Sequence, residues 1–138
     1  MTAAKIKTCG VPRASYAIYL KRAEECCRAA EQAFSQGDWN AAVITAVHSV
    51  ISSCDALCIF FLGQRNAGER HDDAVRLFKT IAVDRDGIAA QAGRVSRVLG
   101  IKHVAEYEDR LLSRGEAEKV LKDCNRFLDF VHANLLAG

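Results

Sequence analysis

Proline is almost missing from this chain. Pro12 is the only one in 138 residues, so beyond it no residue locks φ or withholds a backbone N–H from a helical ladder. A strong charge of one sign is missing too. The formal net charge is +2, which leaves no electrostatic footprint of a general nucleic-acid binder. Met1 to Gly10 carries lysines but no apolar h-region, so no signal peptide is read there. No segment alternates apolar and polar residues as a half-buried strand would, and no internal repeat is seen. The signatures GxGxxG, P-loop, GxSxG and HExxH are absent, which argues against a dinucleotide enzyme, a nucleotide hydrolase, a serine esterase or a zinc protease of those patterns.

What is present is helical spacing on an ordinary globular composition. Half of the residues are apolar and about a quarter are charged, and a chain of this length buries a core without disulfides or metals. The six cysteines read as small buried hydrophobes in a reducing cytoplasm. Cys54 and Cys58 are one helical turn apart, but no CxxC accompanies them, so no metal and no cofactor is expected.

Residues 1–13 read as a flexible arm, and residues 14–138 as a single helical domain. Tyr16, Leu20, Ala23, Cys27, Ala30 and Phe34 share one face of a first helix that starts near Ala14. Gly37 is its natural stop, and Asp38 the natural N-cap of the next. That second helix, about Trp39 to Leu62, is apolar nearly all round. It could span a bilayer by length. However, Asp55 at mid-membrane would cost about 2.5–3.5 kcal/mol, and His48, Thr45 and several serines dilute the run. A central helix packed on all sides accounts for the same sequence, so no membrane is expected.

Gly63 ends this helix. Ala74, Leu77, Phe78 and Ile81 mark a third, and Asp84-Arg85-Asp86-Gly87 reads as a turn. Ile88, Ala92, Val95 and Leu99 mark a fourth, with Gly100 a candidate interruption and Lys102–Tyr107 either a further helical turn or a loop. Ser113 and Glu116 form a capping box at the start of the last helix. The fold class is therefore all-α: an antiparallel bundle of about five helices with short connections.

One constellation stands out. Arg65-Asn66-Ala67-Gly68-Glu69-Arg70-His71 joins the second and third helices. Arg65 falls just past a buried helix and His71 in the first turn of the next, so both side chains can face one cleft near a helix N-terminus. Arginine clamps phosphate through its fork of donors, and histidine carries a proton near neutral pH. A solvated polar loop with a capping histidine fits the same spacing. Asp55, inside the apolar helix, needs a partner to stay charged, and Arg65 or Lys102 could supply it. Lys102 and Glu106 could pair at i, i+4. Tyr107 fits either packing or the cleft. His48 reads as a satisfied core histidine, and Arg94 and Arg97 either flank an RNA path or are simply solvated.

The segments YLKRAEECCRAAEQAFSQGDWNAAVITAVHSVISSCDALCIFFLGQRNAGERH and IKHVAEYEDRLLSRGEAEKVLKDCNRFLDFV resemble the HEPN domain (higher eukaryotes and prokaryotes nucleotide-binding) over about residues 14–136. The motif of that family is an arginine, a polar residue, a short spacer and a histidine. Here these are Arg65, Asn66 and His71, with five residues between Arg65 and His71. The KHVAEY stretch also recurs in HEPN proteins of this kind.

The resemblance implies a helical bundle paired as a homodimer. It also implies a metal-independent endoribonuclease with catalytic Arg65 and His71, and with Asn66, Lys102 and Tyr107 binding phosphate or orienting; Asp55 joins them as an orienting residue if its partner is Arg65 or Lys102. A separate nucleotidyltransferase-type antitoxin is the implied partner if the chain is a toxin. One branch of HEPN toxins carries a tyrosine two residues after the histidine, where this chain has Asp73. Some HEPN domains do not cleave, so a non-catalytic module binding a nucleotide, RNA or protein is the alternative implied by the same resemblance.

Overall fold

The computed structural model describes residues 5–137, with side chains through residue 135. Helices α1 (Tyr16–Ser35), α2 (Trp39–Leu62), α3 (His71–Phe78), α4 (Arg85–Tyr107) and α5 (Arg114–Ala137) form the bundle. Two short strands, β1 (Thr8–Gly10) and β2 (Gln64–Asn66), form an antiparallel ladder beside it.

The termini of α1 and α2 follow from local chemistry. Gly37 takes a left-handed φ of +80°, which costs glycine nothing sterically. This lets Gly37 N–H bond to Phe34 O at 3.0 Å and Asp38 N–H to Ala33 O at 3.0 Å, capping carbonyls that α1 leaves open. Asp38 holds the N-cap position of α2 without a side-chain cap bond. Its carboxylate still lies at the positive end of that helix dipole.

Helix α2 is the centre of the fold. It is long and apolar enough to cross a membrane, yet 67 % of its most apolar window is buried by the rest of the chain. Its buried face includes Ala42, Ala46, Ser49 and Ser53, small residues that let neighbours approach closely. Ser49 Oγ donates to Ala23 O of α1 at 2.7 Å. Elsewhere in the core Phe78 of α3 meets Phe127 of α5 edge to face, with ring centres 5.6 Å apart. The apolar surface of α2 is thus largely buried within one chain, as a central helix packed by its neighbours requires.

Several expectations need correction. The arm expected to be loose is a paired strand over Thr8–Gly10; residues 1–4 lie outside the described residues. Asp84-Arg85-Asp86-Gly87 is a helix start rather than a separate turn. Asp84 sits at φ +46° and its carboxylate accepts the Gly87 N–H, capping α4. Helix α3 ends at Phe78, although Ile81 beyond it is still buried.

Gly100 does not interrupt α4, which runs unbroken through Lys102–Tyr107. Glycine within a helix costs about 1 kcal/mol relative to alanine, less than the burial of Val98 and Ala105 on either side contributes. The end of α4 is also clamped. Asn40 Nδ2 donates to Ala105 O at 3.1 Å, and Asn40 Oδ1 accepts the Leu112 N–H at 2.9 Å. The capping box at α5 forms as expected: Ser113 N–H donates to Glu116 Oε1 and Glu116 N–H to Ser113 Oγ. Arg94, half-buried, and Arg97, still exposed to solvent, both pair with Asp123 of α5.

Candidate functional site

The connection between α2 and α3 is held from both sides. Gly63, at φ +67°, turns the chain out of α2 into β2. Arg65 then lies opposite Cys9 in the ladder. The pairing continues beyond both strands, with Val11 N–H bonded to Gly63 O at 2.9 Å and Ala67 N–H to Lys7 O at 2.8 Å. Alternation along a strand sends neighbouring side chains to opposite faces, and Arg65 and Asn66 part accordingly.

Asn66 closes the loop. Its Oδ1 accepts the Gly68 N–H and its Nδ2 donates to Arg70 O, both at 3.1 Å. Arg65 is half-buried. Its Nη1 donates to Asn66 O at 3.1 Å, its guanidinium lies 6.0 Å from the Tyr19 ring centre, and its buried Nε has no hydrogen-bond partner among the described residues. Burial pushes the Asp55 carboxyl up to about 6, an effect that the charges of Arg65 and Arg22 partly offset. Of the two cations expected for Asp55, Arg65 is therefore the one beside it. No ion pair under 4 Å joins them among the described residues.

His71 opens α3. It is half-buried, and burial, reinforced by the charges of Lys102 and His48, lowers its pKa below the ordinary histidine value. Glu106 and Asp72 oppose that shift. The ring is therefore neutral at neutral pH and able to accept a proton. Lys102 Nζ pairs with Glu106 Oε2 at 2.9 Å. That bond is the main reason the Glu106 carboxyl is held below its usual range, with help from the Tyr107 hydroxyl and His48. Tyr107 is 69 % exposed, with Lys102 Nζ 6.0 Å from its ring centre. Asp73, where one toxin branch has tyrosine, pairs with Arg76 at 3.0 Å.

The contacts of the motif residues fall into two sets. Arg65 sits with Asp55, Tyr19 and Arg22 toward α1 and α2. His71 sits with Lys102 and Glu106 of α4. No hydrogen bond or ion pair links Arg65 to His71 among the described residues. His48 is not the core histidine expected of it: it is exposed and acts on both His71 and Glu106. A hint lay in the spacing, since His48 and Asp55 are two turns apart and share one stripe of α2. No three His, Cys, Asp or Glu side chains converge as a metal site among the described residues.

A family model of the HEPN domain matches residues 16–134, nearly the whole chain. No curated protein matches it. With a helical bundle, a family match of that extent and the arginine–histidine connection after the central helix, the chain belongs to the HEPN domain family of nucleotide- and RNA-related modules.

Proposed function

We propose that this HEPN domain is a metal-independent endoribonuclease, the toxin of a cytoplasmic pair whose antitoxin is a separate nucleotidyltransferase-type polypeptide. The ribose 2′-hydroxyl attacks the adjacent phosphate, leaving a 2′,3′-cyclic phosphate and a 5′-hydroxyl. His71 takes the 2′-hydroxyl proton, and its neutral, half-buried ring beside the Lys102 ammonium is the observation that carries the reading. Lys102 and Arg65 stabilise charge on the phosphorane. The buried Nε of Arg65 is a donor that a phosphate oxygen would satisfy. A homodimer would bring Arg65 of one copy toward His71 of the other, making a composite cleft.

The lack of a direct bond between Arg65 and His71 among the described residues is also compatible with a second reading, a non-catalytic module binding a nucleotide, RNA or a protein partner. Expression decides between them. A toxin arrests growth as wild type and is harmless as His71→Ala, whereas a binding module is tolerated in both forms. With purified protein, cleavage of an RNA panel should persist in EDTA and yield cyclic phosphate ends. Intact RNA with and without divalent metal would replace the ribonuclease reading with the binding module.

A further inference from the structure

Arginines and aromatic rings alternate along one edge of the bundle, in a row that ends at the motif arginine. Arg13 opens the short 3-10 turn before α1. Its guanidinium lies 4.1 Å from the ring centre of Phe60, in the last turn of α2. Tyr16, the first residue of α1, meets the same ring edge to face at 5.0 Å. Tyr19 follows one turn later, and residues three apart share a helix face. Two guanidiniums then converge on the Tyr19 ring from different elements, Arg22 of α1 at 5.1 Å and Arg65 of β2 at 6.0 Å. Arg13 and Arg22 are exposed, and Tyr16, Tyr19 and Phe60 are half-buried, so the row is open to solvent. No ion pair among the described residues involves Arg13, Arg22 or Arg65. Asp55 feels the charges of both Arg65 and Arg22, and it can offset at most one of them.

Cations spaced between aromatic faces suit a single-stranded nucleic acid. The guanidiniums meet backbone phosphates, and the flat faces take unstacked bases of any sequence. A duplex keeps its base faces stacked and can use only the cations. We propose that the row Arg13, Phe60, Tyr16, Tyr19, Arg22 is the path by which single-stranded RNA reaches the site, with phosphates at Arg13 and Arg22 and bases against Tyr16 and Tyr19. The path ends at Arg65, whose buried Nε has no hydrogen-bond partner among the described residues and can take a phosphate oxygen. The proposal rests on the reading above only in taking RNA as the ligand; it does not require that the RNA be cut. A charge is felt over about 8 Å at physiological salt, so this local row counts for more than the net charge of +2.

A strand that cannot be cut isolates binding. A fluorescent 2′-O-methyl RNA of about ten nucleotides has no 2′-hydroxyl to attack, and its anisotropy reads the Kd at several salt concentrations. Tyr19→Leu should weaken binding by about 5–150-fold, the loss of one stacked base, and Tyr19→Phe should restore it. Arg13→Gln and Arg22→Gln should each lower the slope of log Kd on log salt by about 0.7. Arg126→Gln, which removes an exposed arginine of α5, should change neither quantity. The same strand annealed to its complement should bind more weakly than alone. Helicity and melting check folding, and the exposure of Arg13 and Arg22 keeps their variants informative even if Tyr19→Leu unfolds. If the row variants bind as wild type, if Arg126→Gln loses as much slope as they do, or if the duplex binds as well as the strand, the row is not the path and the ribonuclease reading is untouched. If wild type binds through the row yet leaves cleavable RNA of the same sequence intact, the ribonuclease reading falls and this inference stands.

Discussion

Cys9 stands directly across the antiparallel ladder from Arg65, so the N-terminal strand holds the backbone of the motif arginine. Val11→Pro deletes the N–H that bonds to Gly63 O. One such bond is worth about 1 kcal/mol. The variant should keep its helicity while the Ala67 amide, bonded to Lys7 O in the same ladder, exchanges faster with solvent. RNA cleavage should fall. Unchanged exchange at Ala67 would show that the ladder does not hold the loop.

The folded protein resists protonating His71, whose pKa lies below the ordinary 6.5. The unfolded chain therefore binds more protons in that interval, and stability rises with pH. This contribution is present above pH 6.5 and is lost as pH falls from there through the folded value. His71→Gln should flatten the slope of urea-derived stability between pH 5 and 7. Cleavage by wild type should rise over the same interval as the base loses its proton. His48→Gln should raise the His71 pKa, measured by NMR titration, because a neighbouring positive charge is removed.

Asp55 has the opposite sign. Its carboxyl is raised from 3.8 to about 6 in the folded state, so its contribution to stability is present below its unfolded value and is lost as pH rises through about 6. Asp55→Asn mimics the protonated form and should stabilise the protein at pH 7 by about 1–3 kcal/mol. The gain should vanish at pH 4. If Asp55 orients Arg65, cleavage should fall even as stability rises. Denaturation at the two pH values, with an RNA assay at pH 7, separates the effects.

Asn40→Ala leaves Ala105 O and Leu112 N–H without their partner. Unpaired buried groups of this kind cost about 1–3 kcal/mol. The last turns of α4, which carry Lys102, Glu106 and Tyr107, should lose amide protection before the rest of the helix. A variant with wild-type melting and exchange would show that the clamp contributes nothing.

Ser113→Ala removes the capping bond to Glu116 N–H and should cost about 1 kcal/mol. The Glu116 carboxyl, held at about 2 first by Arg110 and then by the Ser113 backbone, stabilises the fold above its unfolded value and loses that effect as pH falls toward 2. Glu116→Gln should therefore destabilise at neutral pH and match wild type in strong acid, as followed by circular dichroism.

What lies within a few residues was legible in the sequence. The bounds of α2 as Trp39–Leu62, the stop at Gly37, the Ser113–Glu116 box and the Lys102–Glu106 pair depend on spacing and on bonds between near neighbours, which any chain with these residues would form. The arginine–histidine connection was visible for the same reason. What depended on distant segments was not. The strand Thr8–Gly10 is too short to show a period, and it exists because Gln64–Asn66 offers unpaired N–H and C=O groups to bond with. Gly100 stays helical because packing on either side outweighs its local cost.

His48 looked like core because α2 is apolar all round, but burial is decided by which neighbour covers each stripe, and His48 is left exposed. Arg65 and His71 looked like one cleft because they are near in sequence. In the fold, the alternation of β2 and the separate packing of α1 and α4 send their side chains to different neighbours. Sequence spacing determined which residues flank the connection; only the packing of helices from elsewhere in the chain decided what each of them faces.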